Sequence, residues 1–306
     1  MKPAAASAAL AFLVTVLGGL AAAVAAEVPA RPSAGCAAPA AANGRRLERT
    51  IVVSGVSRSY VLDVPASTEP SRPVPLLFDF HGLGHSGGGV WAVSEFRQLA
   101  ERDGFITVYP DGLTVTLNTG TQQLEGTGWE IAAADSNRDL KFTALLLDHL
   151  EATYCIDRAR VFATGFSNGA FFSHLLGCVM ADRFAAIAPV SGGRAPAACA
   201  PSRGVAVLIY HGRQDQRVPV QHARVARDAW LALNRCREHA SNGCEEHRQC
   251  RDGAVVEYCE ADFAHRWPAL ATAHIWEFFQ AHPLAAAARG PPAILPSTPA
   301  GTRATH

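Results

Sequence analysis

Apolar residues along this chain come in two rhythms. Short, mainly apolar runs at 76–80, 105–109, 161–164 and 205–210 have the pattern of strands buried on both faces, and 254–258 reads as a further strand. Residues 50–53 and 59–64, separated by Ser54-Gly55-Val56-Ser57, predict an opening hairpin. Between the runs, residues 94–102, 140–153, 170–180, 220–233 and 269–279 carry apolar side chains at helical spacing. Strands alternating with helices predict a single α/β domain with a mostly parallel central sheet and helices on both faces, the hairpin making the sheet mixed. After Pro283 the chain turns to alanine, proline, glycine and threonine, which cannot build a core, so 284–306 reads as a disordered tail.

The turn between the strand at 161–164 and the helix from Ala170 is Gly165-Phe166-Ser167-Asn168-Gly169. Strand, sharp turn and helix make the setting of a nucleophile elbow, in which flanking glycines let the backbone hold a serine hydroxyl above the sheet edge. The plainer alternative is a glycine-rich turn capped by serine. A serine needs a base to take its proton. Asp215 follows the run at 205–210, in His211-Gly212-Arg213-Gln214-Asp215, and His265 follows 254–258, in Ala264-His265-Arg266-Trp267-Pro268. Taken alone, Asp215 also suits a helix cap and His265 a surface histidine; Ser167, Asp215 and His265 in that order, each after a strand, follow the chain order of α/β-hydrolases. An oxyanion hole needs two backbone donors, and the candidates are the amides of Asn168 and of Leu83, in His81-Gly82-Leu83-Gly84-His85-Ser86. His81 and His85 lie four apart, but a glycine-rich loop offers no helical face to align two ligands, and no metal is expected there.

These stretches, with Tyr109-Pro110-Asp111-Gly112 and Ala188-Pro189-Val190-Ser191-Gly192, together resemble secreted feruloyl esterases and polyhydroxybutyrate depolymerases over residues 47–283. The resemblance implies an α/β-hydrolase fold with Ser167 as nucleophile, Asp215 as acid, His265 as base and an oxyanion hole near Leu83 and Asn168. Two departures stand out. Asp262-Phe263-Ala264 occupies the place where the family has glycines before its histidine, and Ala170 stands where a second glycine is common. Side chains narrow the backbone choices of the histidine loop, and Asp262 brings a charge near the base.

The chain of 306 residues is 49% hydrophobic, enough for one sizeable core, and its 27 basic and 27 acidic residues cancel, which argues against a nucleic-acid surface. Residues 1–26 resemble a secretory signal, with Ala23-Val24-Ala25-Ala26 as the cleavage region; Gly18-Gly19 and the alanine content argue against a membrane anchor. Export fits the 8 cysteines, which follow that region and are even in number. Cys236, Cys244, Cys250 and Cys259 crowd together with His239 and His247, but without a close Cys-x-x-Cys pair, so two local bridges are expected rather than zinc, in a polar excursion over 235–259. The excursion leads into the strand before His265 and is expected to shape one wall of the substrate cleft.

Trp267 and Trp129 are the aromatic side chains expected near the cleft, to meet a hydroxycinnamoyl ring or an apolar polymer surface. The expected protein is a secreted serine esterase that needs no cofactor, acts through an acyl-enzyme and cleaves feruloyl esters of plant polysaccharide. Polyester depolymerisation, peptide hydrolysis, and a catalytically silent fold that binds a polysaccharide or protein are the alternatives.

Overall fold

The computed structural model describes residues 28–118, 122–193 and 199–285. The expected signal segment and the chain beyond 285 lie outside the described residues. A hairpin opens the domain, with β1 (Gly44–Val53) and β2 (Val56–Val64) paired antiparallel and Gly55 at φ 81° in its turn. After β3 (Val74–Phe80) come α1 (Gly87–Val93), α2 (Phe96–Asp103) and β4 (Ile106–Pro110). The helix expected over 94–102 forms as α2, its start set at Phe96 because Glu95 takes the left-handed conformation at φ 60°; α1, before it, has no counterpart in the sequence pattern. β5 (Leu113–Asn118) and β6 (Gln123–Gly128) form a separate two-stranded ribbon.

The alternation then runs through α3 (Arg138–Thr153), β7 (Ile156–Phe166), α4 (Asn168–Val179), β8 (Ala186–Val190), β9 (Ala206–Gly212) and α5 (Gln221–Asn234). A second hairpin, β10 (Glu238–Asn242) and β11 (Cys244–Arg248), precedes β12 (Val256–Ala261) and the closing helix α6 (Ala271–Ala281). In the large sheet the strands lie in the order β1-β2-β4-β3-β7-β8-β9-β12-β11-β10. From β4 to β12 all neighbours are parallel, and both margins are antiparallel hairpins.

Period-two alternation divides the core into two layers. Leu76, Phe78 and Phe80 of β3, Val161 and Ala163 of β7, and Val207 and Ile209 of β9 face α3, α4 and α5, where Phe142, Leu146, Phe172 and Trp230 cover them. Leu77, Phe162 and Leu208 point the other way, toward Phe96 of α2 and Ile275, Trp276 and Phe279 of α6. Leu284 belongs to this second layer: it is buried and its amide donates to the Ala159 carbonyl at 2.7 Å, which corrects its placement in a tail.

All eight cysteines are paired, as Cys36–Cys155, Cys178–Cys199, Cys236–Cys250 and Cys244–Cys259. The last two are the local bridges expected in the excursion, which folds as the β10–β11 hairpin at the sheet margin. Four strand steps separate β11 from β7, about 19 Å at about 4.8 Å per step, so the excursion braces β12 rather than standing beside the serine-bearing turn.

Candidate active site

The turn after β7 puts Ser167 at φ 53° and ψ −115°, a conformation that a side-chain-bearing residue holds only when its surroundings enforce it. Gly165 and Gly169 make the turn close enough: a Cβ on Gly169 would lie 2.1 Å from the Phe80 carbonyl oxygen, and one on Gly165 would lie 2.6 Å from the Gly169 backbone. The Ser167 amide donates to the Val190 carbonyl at 3.0 Å, tying the turn to the end of β8. Ala170 fits where a glycine is common because it faces Gly192, whose own Cβ would come within 2.3 Å of the Ala170 Cβ.

Asp215 lies just past β9 and is buried. Its Oδ1 accepts from the amides of Arg217 and Val218, both at 2.9 Å, which leaves Oδ2 aimed at the His265 ring. His265 Nδ1 donates to Asp215 Oδ2 at 2.7 Å, and His265 Nε2 lies 3.0 Å from Ser167 Oγ. With Nδ1 protonated toward the carboxylate, Nε2 is free to accept the serine proton, the geometry that general-base activation needs. His211 Nε2 sits 3.4 Å from the same carboxylate oxygen but donates at 2.8 Å to the Val218 carbonyl, and burial pushes its pKa down, so it stays neutral and leaves Asp215 to His265.

The loop carrying His265 needs no glycine conformation: none of Asp262, Phe263 and Ala264 has a positive φ. Phe263 is buried and its carbonyl accepts from the Gln214 amide, locking the loop against the turn that bears Asp215. Asp262 is exposed and pairs with Arg213 at 3.2 Å. Trp267 is half-buried; its indole N–H donates to Thr272 Oγ1 at 2.9 Å and its ring meets Phe96 edge-on.

On the opposite side of Ser167, the Asn168 amide opens α4 without an intrahelical partner. Gly82 brings the next loop close, since a Cβ there would sit 3.4 Å from the Ser167 Cβ. His81 is buried and holds that loop from below: Nδ1–H donates to the Gly82 carbonyl at 2.7 Å while Nε2 accepts from the Gly112 amide at 2.9 Å. Both contacts need a neutral ring, and burial pushes the His81 pKa down accordingly. The β5–β6 ribbon clamps the loop from above, through Gly84 N–H to the Thr127 carbonyl at 2.8 Å and Thr127 Oγ1 to the His85 carbonyl at 2.6 Å. The Leu83 amide, between these anchors, makes no backbone bond among the described residues.

Trp129 does not face a cleft. It has no exposed surface, stacks on Phe172 and donates from its indole to the His81 carbonyl at 2.9 Å. Asn168 clasps its backbone, Oδ1 accepting from Trp129 N at 2.7 Å and Nδ2 donating to its carbonyl at 3.2 Å. Trp129 therefore supports the serine turn and the Leu83 loop from beneath. Sequence reasoning missed the roles of His81, Gly112 and Thr127; the signal available was Tyr109-Pro110-Asp111-Gly112, where Asp111 also accepts from the amide of Gly87 at the start of α1.

A mostly parallel sheet with a serine on the turn after its central strand, and with an aspartate and a histidine delivered from later strand ends, defines an α/β-hydrolase. The model of the phospholipase/carboxylesterase family matches residues 63–254, more than half of the chain, and the protein belongs to that family of carboxylic ester hydrolases. It is similar to feruloyl esterase D of Neurospora crassa, 29% identical over 297 residues that span 88% of this chain and 95% of that protein. Feruloyl esterase C of Emericella nidulans is 29% identical over 187 residues, 58% of this chain and 63% of the relative. Among solved structures, the acetyl xylan esterase from Aspergillus awamori superposes with a TM-score of 0.60 at 15% identity, covering 76% of this chain and 99% of that one, a likeness of fold.

Proposed function

We propose that the protein is an exported serine esterase that cleaves feruloyl esters of plant polysaccharide. The observation that carries the chemistry is the unbroken hydrogen-bonded chain Ser167–His265–Asp215, with contacts of 3.0 and 2.7 Å. Ser167 Oγ attacks the ester carbonyl while His265 Nε2 takes its proton, and Asp215 stabilises the imidazolium that forms. The amides of Leu83 and Asn168 receive the oxyanion. Collapse of the intermediate expels the alcohol, protonated by His265, and leaves an acyl-Ser167 ester. Water, deprotonated by His265, attacks that ester and releases the acid.

Two relatives named feruloyl esterases, one aligned over nearly the whole chain, support the hydroxycinnamoyl assignment. The aromatic ring against the base is that of Phe166, with centroids 4.7 Å from His265, while Trp267 follows two residues after the histidine and packs on Phe96. Four disulfides, together with an apolar leader-like segment, support export to an oxidising compartment, and no helix among the described residues is long and apolar enough to cross a membrane.

The test compares methyl ferulate, a short-chain nitrophenyl ester and polyhydroxybutyrate film, using the purified protein and Ser167→Ala. Methyl ferulate should be turned over with the highest kcat/KM, and all activity should fall by several orders of magnitude in Ser167→Ala, together with fluorophosphonate labelling. Faster loss of the polyester film would move the substrate assignment to polyesters; activity surviving in Ser167→Ala would remove the triad.

A further inference from the structure

We propose that the β10–β11 hairpin carries a site for a divalent transition-metal ion, made by His239, Glu245 and His247 and separate from the catalytic residues. His239 of β10 and His247 of β11 are direct cross-strand partners, so their rings project from one face of the hairpin. Glu245 lies two residues before His247 on the same strand and therefore shares that face. One ligand atom from each of the three lies within 4.8 Å of the other two, and the two rings are 4.8 Å apart between centroids. Ligands sharing one zinc ion, at about 2.0–2.2 Å each, stand about 3.3 Å apart, a spacing these side chains reach by small rotations.

Two further observations support a ligand. His247 Nε2 is buried, and the nearest carboxylate oxygen, on Glu245, stands 3.8 Å away, too far for a hydrogen bond. An ion between them would give His247 Nε2 the partner it lacks. The hairpin is held before any ion binds: Cys236–Cys250 closes its open end and Cys244, next to Glu245, is bridged to Cys259 of β12. Such preorganisation reduces the ordering cost of binding. Arg227 of α5 also contacts Glu245, at 3.0 Å, but it bonds Asp228 at 2.9 Å as well and keeps that partner when the Glu245 carboxylate turns to an ion.

Two imidazoles and one carboxylate, with coordination positions left for water, select zinc, copper or nickel over calcium and magnesium, which take all-oxygen sets. The neighbouring group Cys244, Glu257, Cys259 and His274 does not compete, because its two sulfurs are joined to each other. An ion on the hairpin would cross-link the outermost strand of the sheet to the next.

The test uses the full-length, disulfide-bonded protein without a histidine tag, freed of metal by chelator and titrated with zinc in a calorimeter. One saturable equivalent is expected in the micromolar range or tighter, with a rise in Tm. His239 is exposed on the edge strand, so His239→Ala should fold normally, keep ester turnover and lose at least about tenfold in zinc affinity, since even losing a partner behind a metal ligand costs 10–100-fold. Glu245→Gln should weaken binding too, while its side chain still accepts from Arg227. Absence of saturable binding up to millimolar zinc, or equal binding in His239→Ala, would overturn the proposal.

Discussion

At the scale of single residues, Asp215 is fixed by two backbone amides and so has one oxygen left for His265. Asp215→Asn keeps its shape but offers the histidine an amide in place of an acceptor carboxylate, which favours the wrong tautomer at Nδ1. We expect kcat to fall on the order of 10⁴-fold with KM nearly unchanged, the size of effect found for the equivalent change in a serine protease, and steady-state kinetics on a nitrophenyl ester would measure it. A loss below tenfold would show that His265 is oriented by something else. That Ser167, His265 and Asp215 meet in one hydrogen-bonded chain was legible in the sequence, because each follows a strand and they come in the chain order of α/β-hydrolases. The fate of Asp262 was not legible: whether a loop carboxylate faces the base or the solvent depends on Arg213, 49 positions away in sequence, pairing with it outside the site. Trp129 misled for a related reason, since a tryptophan at the end of a glycine-rich stretch reads equally well as cleft wall or as core.

At the scale of elements, the β5–β6 ribbon holds the loop of Leu83, one of the two proposed oxyanion donors, and only its first strand is legible in the sequence. Leu113-Thr114-Val115-Thr116-Leu117-Asn118 alternates apolar and polar throughout, whereas Gln123-Leu124-Glu125-Gly126-Thr127-Gly128 has one large apolar side chain, because this strand lies outside the main sheet and buries little apolar surface. Its glycines are there for close approach. A Cβ on Gly128 would stand 2.6 Å from Asn168 Oδ1 and 3.1 Å from Leu83 Cδ1, between the two proposed oxyanion donors. Gly128→Ala should therefore separate them, lowering kcat roughly tenfold or more with KM less affected, in a protein whose thermal melting shows it still folded. The second polar hairpin behaves differently. Replacing both Cys236 and Cys250 by alanine removes a loop closure worth about 3 kcal/mol in the unfolded chain, so Tm should drop by several degrees while kcat on the same ester stays within about twofold. A large loss of kcat would instead place this hairpin among the elements that shape the cleft.

At the scale of the whole molecule, two apolar layers enclose the sheet, and among the described residues of its parallel strands the carboxyl with no exposed surface is that of Asp79 on β3, two residues before His81. Burial raises its pKa to about 7, against which the Ser94 hydroxyl works in the other direction. Tyr109, also fully buried, is pushed well above its usual value first by burial and then by Asp79. An acid whose folded pKa lies above its unfolded value stays protonated in the fold while the unfolded chain has already lost its proton. Its stabilising contribution is therefore complete below pH 4 and declines through pH 7, by about 1.4 kcal/mol per pH unit across the window and about 4 kcal/mol in all. Carboxylates held low work in the opposite sense: Glu260, with Arg224 bonding both its oxygens, is drawn from 4.5 down to about 2, so its contribution is complete above pH 4.5 and declines as the pH falls to about 2. Comparing the protein with Asp79→Asn cancels every group but one. Thermal melts at pH 5 and pH 8 should show the variant gaining several degrees relative to the parent as the pH rises, because asparagine has no proton to lose. A difference in Tm that does not change with pH would mean that Asp79 keeps one protonation state in the fold throughout that range.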